Sequence, residues 1–283
     1  MSKCYLCASE HISLRKGRVR DRESLDVLEC DECGLVFLSD FSHMDEGFYE
    51  DENMLEENVD LDRWILDSSE NDSRRFELLK GFITDKKVLD FGGGAGGFVR
   101  MIKPYSSHVA ISELHSSSVQ KLRSEGYHVY HDLEEIEEKF DVITLFHVLE
   151  HVKDPLGLID ALLSKLNEDG ILVLEVPTSS DALLTMYDCE AYQNFIYWSP
   201  HLYLFNSTTI DLLVKKTSGS LVFQKGIQRY NLSNHLYWLS KSKPGGHNKW
   251  FFMNEPNLQE NYEQLMCQLN VNDTIMFAIK KGN

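Results

Sequence analysis

The sequence predicts an α/β protein: a mostly parallel, seven-stranded sheet covered by helices, with a small metal-held ribbon at the N-terminus and a helical cap between them. Three observations predict it. A strand runs directly into a glycine loop and then a helix at 87–102, KVLDFGGGAGGFVRMI. Short apolar runs then alternate with helically spaced ones, the pattern of strands joined by crossover helices. Ahead of both lie two CxxC pairs, Cys4/Cys7 and Cys30/Cys33.

The two pairs are 22 residues apart and read as knuckles facing each other across a hairpin. Four thiolates make a closed tetrahedral shell, so residues 1–40 are expected to form a module held by structural zinc. Redox pairs are the alternative. Arg15, Lys16, Arg18, Arg20 and Arg22 are diluted by Asp21 and Glu23; a solvated hairpin face is expected there, with an RNA contact as the other option. Residues 41–80 form the cap: Trp64, Ile65 and Leu66, then Phe76, Leu78 and Leu79, fall at helical spacings.

The core domain spans 81–283. Its strands are expected at 88–91, 109–112, 127–130, 141–146 and 171–176. After Pro177 comes a long connection; Ser207 caps a helix over 208–216, and 221–224 and 274–279 supply two last strands. Residues 229–270 are too long for a tight hairpin and form an insertion expected over the substrate side. A parallel sheet places ligands at the carboxyl ends of its strands.

Within the loop, Gly92, Gly94 and Gly96 bring bare backbone to a ligand, and the next helix offers free N–H groups. Gly92, Gly94 and Gly97 also match a dinucleotide fingerprint. Asp90 decides between the two, because a carboxylate there repels a pyrophosphate and suits a cationic sulfonium amino acid. This D-x-G-x-G-x-G arrangement resembles the class I S-adenosylmethionine-dependent methyltransferases, and the likeness continues in order. HVAISE at 108–113 ends in Glu113, the acid that accepts the ribose hydroxyls in that family. VYHDL at 129–133 resembles the turn that meets adenine, with Asp132 and Leu133. FDVITLFH at 140–147 resembles the fourth strand, with Phe146 and His147 bordering the cofactor, and VLEHVKDP at 148–155 is similar to the family's stretch after that strand.

The resemblance implies a Rossmann-like sheet of order 3-2-1-4-5-7-6 with one antiparallel strand, and S-adenosylmethionine as cofactor. LECDECGLVF at 28–37 is similar to the second knuckle of methyltransferases with an N-terminal zinc module, many of which look like modifiers of nucleotide-linked sugars. In those relatives an aromatic pair like Phe48 and Tyr49 approaches the active site; packing of the linker is the other option.

His147-x-x-Glu150-His151 also fits the pattern of inverted zinc metallopeptidases. The motif starts where a buried strand ends, and no third ligand suggests itself. In the methyltransferase likeness, Glu150 and His151 order the loop and face the acceptor. Transfer to a hydroxyl depends mostly on positioning, with a base adding ~10²- to 10⁴-fold. The base is expected to be His201, with Tyr49 and His151 as rivals, since His201 follows the fifth strand within the aromatic stretch 187–203. Those rings suit a sugar face, or they are core and His201 packs among them. Tyr230, Asn231, His235, Tyr237 and Trp238 complete the pocket or pack; Cys189 and Cys267 read as core.

At 283 residues, 42% of them hydrophobic, the chain can build one large core. With 45 acids against 28 bases its net charge is −17, and residues 41–80 alone hold 13 acids and four bases. That charge opposes binding to phosphate backbones. No run approaches the ~20 apolar residues of a membrane span, and no signal peptide opens the chain, so a cytoplasmic location is expected. There the six cysteines point to metal over disulfides. The expectation is a methyltransferase for a small hydroxyl-bearing acceptor, a nucleotide-linked sugar or glycan precursor, with no nucleic-acid or membrane partner. The alternatives are an RNA base methyltransferase and a non-catalytic scaffold of the same fold. The acidic charge opposes the first, and the intact loop with Asp90 and Glu113 opposes the second.

Overall fold

The computed structural model describes residues 3–44 and 60–282; Phe48 and Tyr49 lie outside the described residues. β1 (Ile12–Leu14), β2 (Val27–Cys30) and β3 (Val36–Leu38) pair antiparallel in that order. Val27, Val36, Phe37 and Leu38 are buried with Cys4, Leu6 and Cys30. α1 (Leu61–Ile83) starts at Asp60, whose carboxylate caps the N–H groups of Asp62 and Arg63. Phe76, Leu79 and Ile83, spaced by three and four, are its buried apolar stripe.

The sheet then builds from β4 (Lys87–Phe91), α2 (Gly97–Ile102), β5 (His108–Ser112), α3 (Ser116–Ser124), β6 (His128–Tyr130), β7 (Phe140–Phe146), α4 (Pro155–Ser164) and β8 (Leu166–Pro177). α5 (Glu190–Ile196), β9 (Tyr203–Leu204), α6 (Ser207–Lys216), β10 (Gly219–Ile227), α7 (Leu232–Lys241), α8 (Gly246–Lys249), α9 (Pro256–Gln268) and β11 (Thr274–Lys281) complete the order. Seven strands lie side by side as β10-β11-β8-β7-β4-β5-β6, with β11 antiparallel to both neighbours and the other pairings parallel. This is the predicted seven-stranded, mostly parallel arrangement. β7, and β8 from Ile171 onward, are mostly apolar and buried, as strands covered on both faces are. No helix among the described residues is long and apolar enough to cross a membrane.

β9 belongs to the ribbon sheet. Tyr203 pairs with Phe37 and Leu204 with Val36, so a strand from the connection after β8 becomes the fourth strand of the N-terminal sheet. Tyr203 is fully buried against the rings of Tyr5 and Phe41. The helix after it is capped by Asn206, not Ser207. Asn206 accepts the Thr209 N–H at 2.9 Å, and its amide donates to the Gly34 carbonyl at 3.1 Å, which holds it in place.

Arg15 also departs from the solvated face expected of it. It pairs with Glu29 at 2.9 Å and donates to Tyr197 and to the Ser179 carbonyl, because the hairpin lies against the 179–198 connection. Arg20 stands over the rings of Phe195 and Trp198. β10 ends at Ile227 opposite Thr274, which lies opposite Pro177 at the end of β8, so the insertion leaves the sheet at its carboxyl edge.

Candidate active site

The loop after β4 passes through left-handed backbone at Gly92, φ 72°, and Gly94, φ 56°. A Cβ on Gly92 would stand 2.4 Å from the Val148 side chain, so only glycine fits there. The Gly94 N–H donates to Glu113 Oε2 at 2.6 Å, while Glu113 Oε1 accepts from the Leu114 and His115 N–H groups at 2.8 Å. The carboxylate at the end of β5 is thereby fixed beside the loop. Asp90 is buried and accepts from Thr144 Oγ1 at 2.6 Å; burial pushes its carboxyl up to about 7 against that hydrogen bond.

Above these residues lies a cleft of about 580 Å³. Asp90, Gly92, Gly94 and Glu113 line it, with Asp132 and Leu133 after β6 and Phe146 and His147 after β7. Gly96 is not among the lining residues. It precedes α2 with φ 78°, and a Cβ there would meet Leu122 at 2.4 Å, so its role is in the turn. α1 adds Trp64, Asp72 and Arg75 to the wall; the sequence marks Trp64 only as a helix residue of the cap and singles out neither Asp72 nor Arg75.

Arg75 Nη2 donates to Glu175 Oε1 at 2.7 Å, and its guanidinium lies 4.5 Å from the centre of the Phe146 ring. Arg74 donates to both oxygens of Glu175. Burial would raise the Glu175 carboxyl, but Arg75 and the neighbouring His147 hold it well below the usual range. The one signal in the sequence is the lone charge in ILVLEVP.

His147 stands at φ 56°, a left-handed conformation rare outside glycine and frequent at functional sites. Its Nδ1 lies 3.3 Å from Glu150 Oε1, and Arg229 Nη1 lies 3.1 Å from its Nε2. Arg229 comes from the start of the insertion and pairs with Asp273 at 3.1 Å.

Leu149–His151 form a single 3-10 turn that buries Glu150 completely and turns His151 to the cleft. His201 stands behind it, with ring centres 4.7 Å apart, and Trp198 closes on both. Burial lowers both imidazoles, His201 to about 3 with His151 adding to the shift. Burial alone would raise Glu150, but its bond to His147 and the nearby imidazoles hold it at about 2.

Of the aromatic stretch, Tyr192, Tyr197 and Tyr203 are buried, and Trp238 packs on Tyr192 and Phe195. His235 is likewise buried, bonded to the Tyr262 hydroxyl at 2.6 Å, and Asn231 caps α7. These rings join the insertion to the core; they do not line the cleft.

A family model described as a methyltransferase domain matches residues 66–218, more than half the chain. The chain belongs to this methyltransferase family. Relatives of this methyltransferase include a ubiquinone biosynthesis O-methyltransferase of Glaesserella parasuis, 31% identical over 105 residues that make up 31% of this chain and 44% of that protein. Another, of Hydrogenovibrio crunogenus, is 25% identical over 187 residues, 57% of this chain and 77% of that one. The match thus spans less than half the length of the first.

Among solved structures, a SAM-dependent methyltransferase from Archaeoglobus fulgidus superposes with a TM-score of 0.52 at 15% identity, covering 77% of this chain and 99% of that one. Magnesium protoporphyrin IX methyltransferase from Synechocystis PCC 6803 gives 0.52 at 11%, covering 83% and 97%. At such identities the likeness is one of fold.

The cleft of this methyltransferase fits S-adenosylmethionine, the cofactor of its family. Bare backbone at Gly92 and Gly94 gives a close approach, and carboxylates stand ready at Asp90 and Glu113. In the N-terminal ribbon, Cys4 and Cys33 sulfurs lie 3.6 Å apart and those of Cys7 and Cys30 3.4 Å, all four within 4.8 Å of one another.

Proposed function

We propose that this methyltransferase transfers a methyl group to a hydroxyl of a small acceptor, a nucleotide-linked sugar or glycan precursor. The observation that carries the reading is a cleft with the glycine loop and two carboxylates at one end and His151 in its wall. Both relatives carry O-methyltransferase in their names, which supports oxygen as the methylated atom. Support for a sugar comes from the likeness of the second cysteine knuckle and from the acidic net charge of −17, which disfavours a nucleic-acid partner.

When bound, S-adenosylmethionine supplies a methyl group whose bond to sulfur breaks as its bond to the acceptor oxygen forms. On this reading Glu113 receives the ribose hydroxyls, Asp90 faces the cationic amino-acid end, and Asp132 and Leu133 border the adenine. Phe146 and His147 would border the cofactor. His151 stands where the acceptor hydroxyl can give up its proton, with Glu150 Oε1 4.0 Å away to steady the charge. His201, the base expected from sequence, acts from behind His151 and keeps its ring in place.

The four cysteines hold one structural zinc. A second reading, an aromatic hydroxyl as acceptor, draws on the ubiquinone-pathway relatives. The test is transfer of labelled methyl from S-adenosylmethionine to a panel of nucleoside diphosphate sugars and dihydroxybenzoates. Turnover of the sugars alone supports the first reading, and of the benzoates alone the second. Methylation confined to RNA defeats both.

A further inference from the structure

Glu150 has more acceptor capacity than the protein uses. Its side chain is 0% exposed; Oε1 faces His147 Nδ1, and Oε2 has no hydrogen-bond partner among the described residues. A buried carboxylate oxygen without a donor is strongly unfavourable. His201 Nδ1 is buried without a partner as well. His151 hydrogen-bonds the backbone of Pro200, whose polar group is a carbonyl. The ring therefore donates there, and the tautomer so fixed places the lone pair on its other nitrogen. One donor atom from each of Glu150, His151 and His201 lies within 4.8 Å of the other two.

We propose that Glu150, His151 and His201 bind a divalent transition cation of the zinc class at the acceptor end of the cleft. Two imidazoles and a carboxylate are a donor set such cations take, and three protein ligands leave coordination positions open. His147, on the other oxygen of Glu150, holds the carboxylate in place, as partners of ligating groups commonly do. In the linear sequence the His147-x-x-Glu150-His151 motif lacks a third ligand. The fold supplies it as His201, with Glu150 replacing His147.

His151 lines the cleft, so a cation held beside it adjoins the acceptor end. An acceptor oxygen bound there loses its proton to water more readily, as oxygens on such cations do. His151 then serves as a ligand, and the cation takes over activation of the hydroxyl. That consequence rests on the proposed acceptor end; binding of the cation does not.

The experiment is titration of the full chain with cobalt(II), its four cysteines already zinc-loaded. We expect one equivalent with the weak visible bands of nitrogen and oxygen ligation, without the intense near-ultraviolet absorption of thiolates. Glu150→Gln and His201→Ala should each weaken binding by at least ~10-fold, with cofactor binding as the check on folding. Anomalous scattering from cobalt-soaked wild-type crystals, which needs no variant, should place the ion between the three side chains. Absence of binding to wild type, thiolate bands alone, or unchanged affinity in both folded variants overturns the proposal. Cobalt bound at this place by an enzyme that methylates no hydroxyl sustains the cation site and removes the acceptor reading. Hydroxyl methylation with no cobalt bound does the reverse.

Discussion

Phe37 and Tyr203 stand opposite one another in an antiparallel pair, one from the cysteine ribbon and one from the connection that leaves the fifth strand of the large sheet. The ribbon and the catalytic domain therefore share a sheet, and Tyr5, Phe41, Phe37 and Tyr203 sit in one apolar core with Leu89 of the first sheet strand.

If the four cysteines hold zinc as proposed, loss of that metal should accordingly reach the catalytic domain. Cys30→Ser with Cys33→Ser is expected to abolish binding of the proposed zinc and to lower the melting temperature of the whole chain. At this size each kcal/mol lost shifts the midpoint by roughly 2–4 °C. Metal analysis and a single thermal transition check it. Zinc retained in the double variant, or an unchanged midpoint, would contradict the coupling.

Arg75→Met tests the tie between α1 and β8. It leaves Glu175, 0% exposed, with Arg74 as its remaining strong partner. Breaking a buried ion pair from one side destabilises by about 3–5 kcal/mol, and Arg74 should hold the loss to the lower end. The Glu175 carboxyl is held well below its ordinary value. Its contribution is thus present above the unfolded pKa, near ~4.3, and fades as pH falls toward the folded value. Denaturant melts of both proteins at pH 7 and pH 3 should differ less at the lower pH.

Asp90 works in the other direction. Burial raises its carboxyl to about 7, against ~3.9 in an unfolded chain. The folded protein keeps a proton that the unfolded chain gives up, so this group lowers stability as pH rises between those values. A cationic ligand beside it favours the ionised form. Cofactor affinity should therefore rise as pH passes through about 7, with proton release visible by calorimetry in buffers of different ionisation enthalpy. Asp90→Asn should flatten both dependences; a pH profile identical to wild type would remove Asp90 from the site.

Gly94→Val should lose cofactor binding. The φ of 56° costs a β-branched residue roughly 1–2 kcal/mol, and its Cβ would stand 3.0 Å from the Trp64 ring across the cleft. Undiminished binding by calorimetry in a folded variant would rule out ligand approach at this glycine.

What the sequence made legible is local. The strand, loop and helix around Gly92 and Gly94 lie within one short stretch, and Asp90 and Glu113 each end a strand that apolar patterning reveals. β9 was illegible because two residues, Tyr203 and Leu204, carry no periodicity, and their partners lie at the far end of the chain. Arg75 was hidden for a related reason: on α1 it looks like any exposed helix charge, and only the fold brings Glu175 beneath it. The rings of 187–203 show a third limit, since composition cannot tell an aromatic pocket from an aromatic core. Tyr192, Tyr197 and Tyr203 are core.

The same limit bears on the choice between the two histidines. His151 and His201 touch, but His151 lines the cleft while His201 stands behind it, its imidazole lowered to about 3 mainly by burial. A group that meets the acceptor, whether as base or as ligand, should matter more to turnover than one acting through a neighbour. His151→Ala is expected to reduce methyl transfer by at least ~100-fold with cofactor affinity preserved. His201→Asn, which keeps a polar side chain behind His151, should reduce it less. Single-turnover kinetics separate the step from cofactor binding and product release. A larger loss in His201→Asn, with the His151 variant near normal, would return the catalytic role to His201 and show that the acceptor enters from its side.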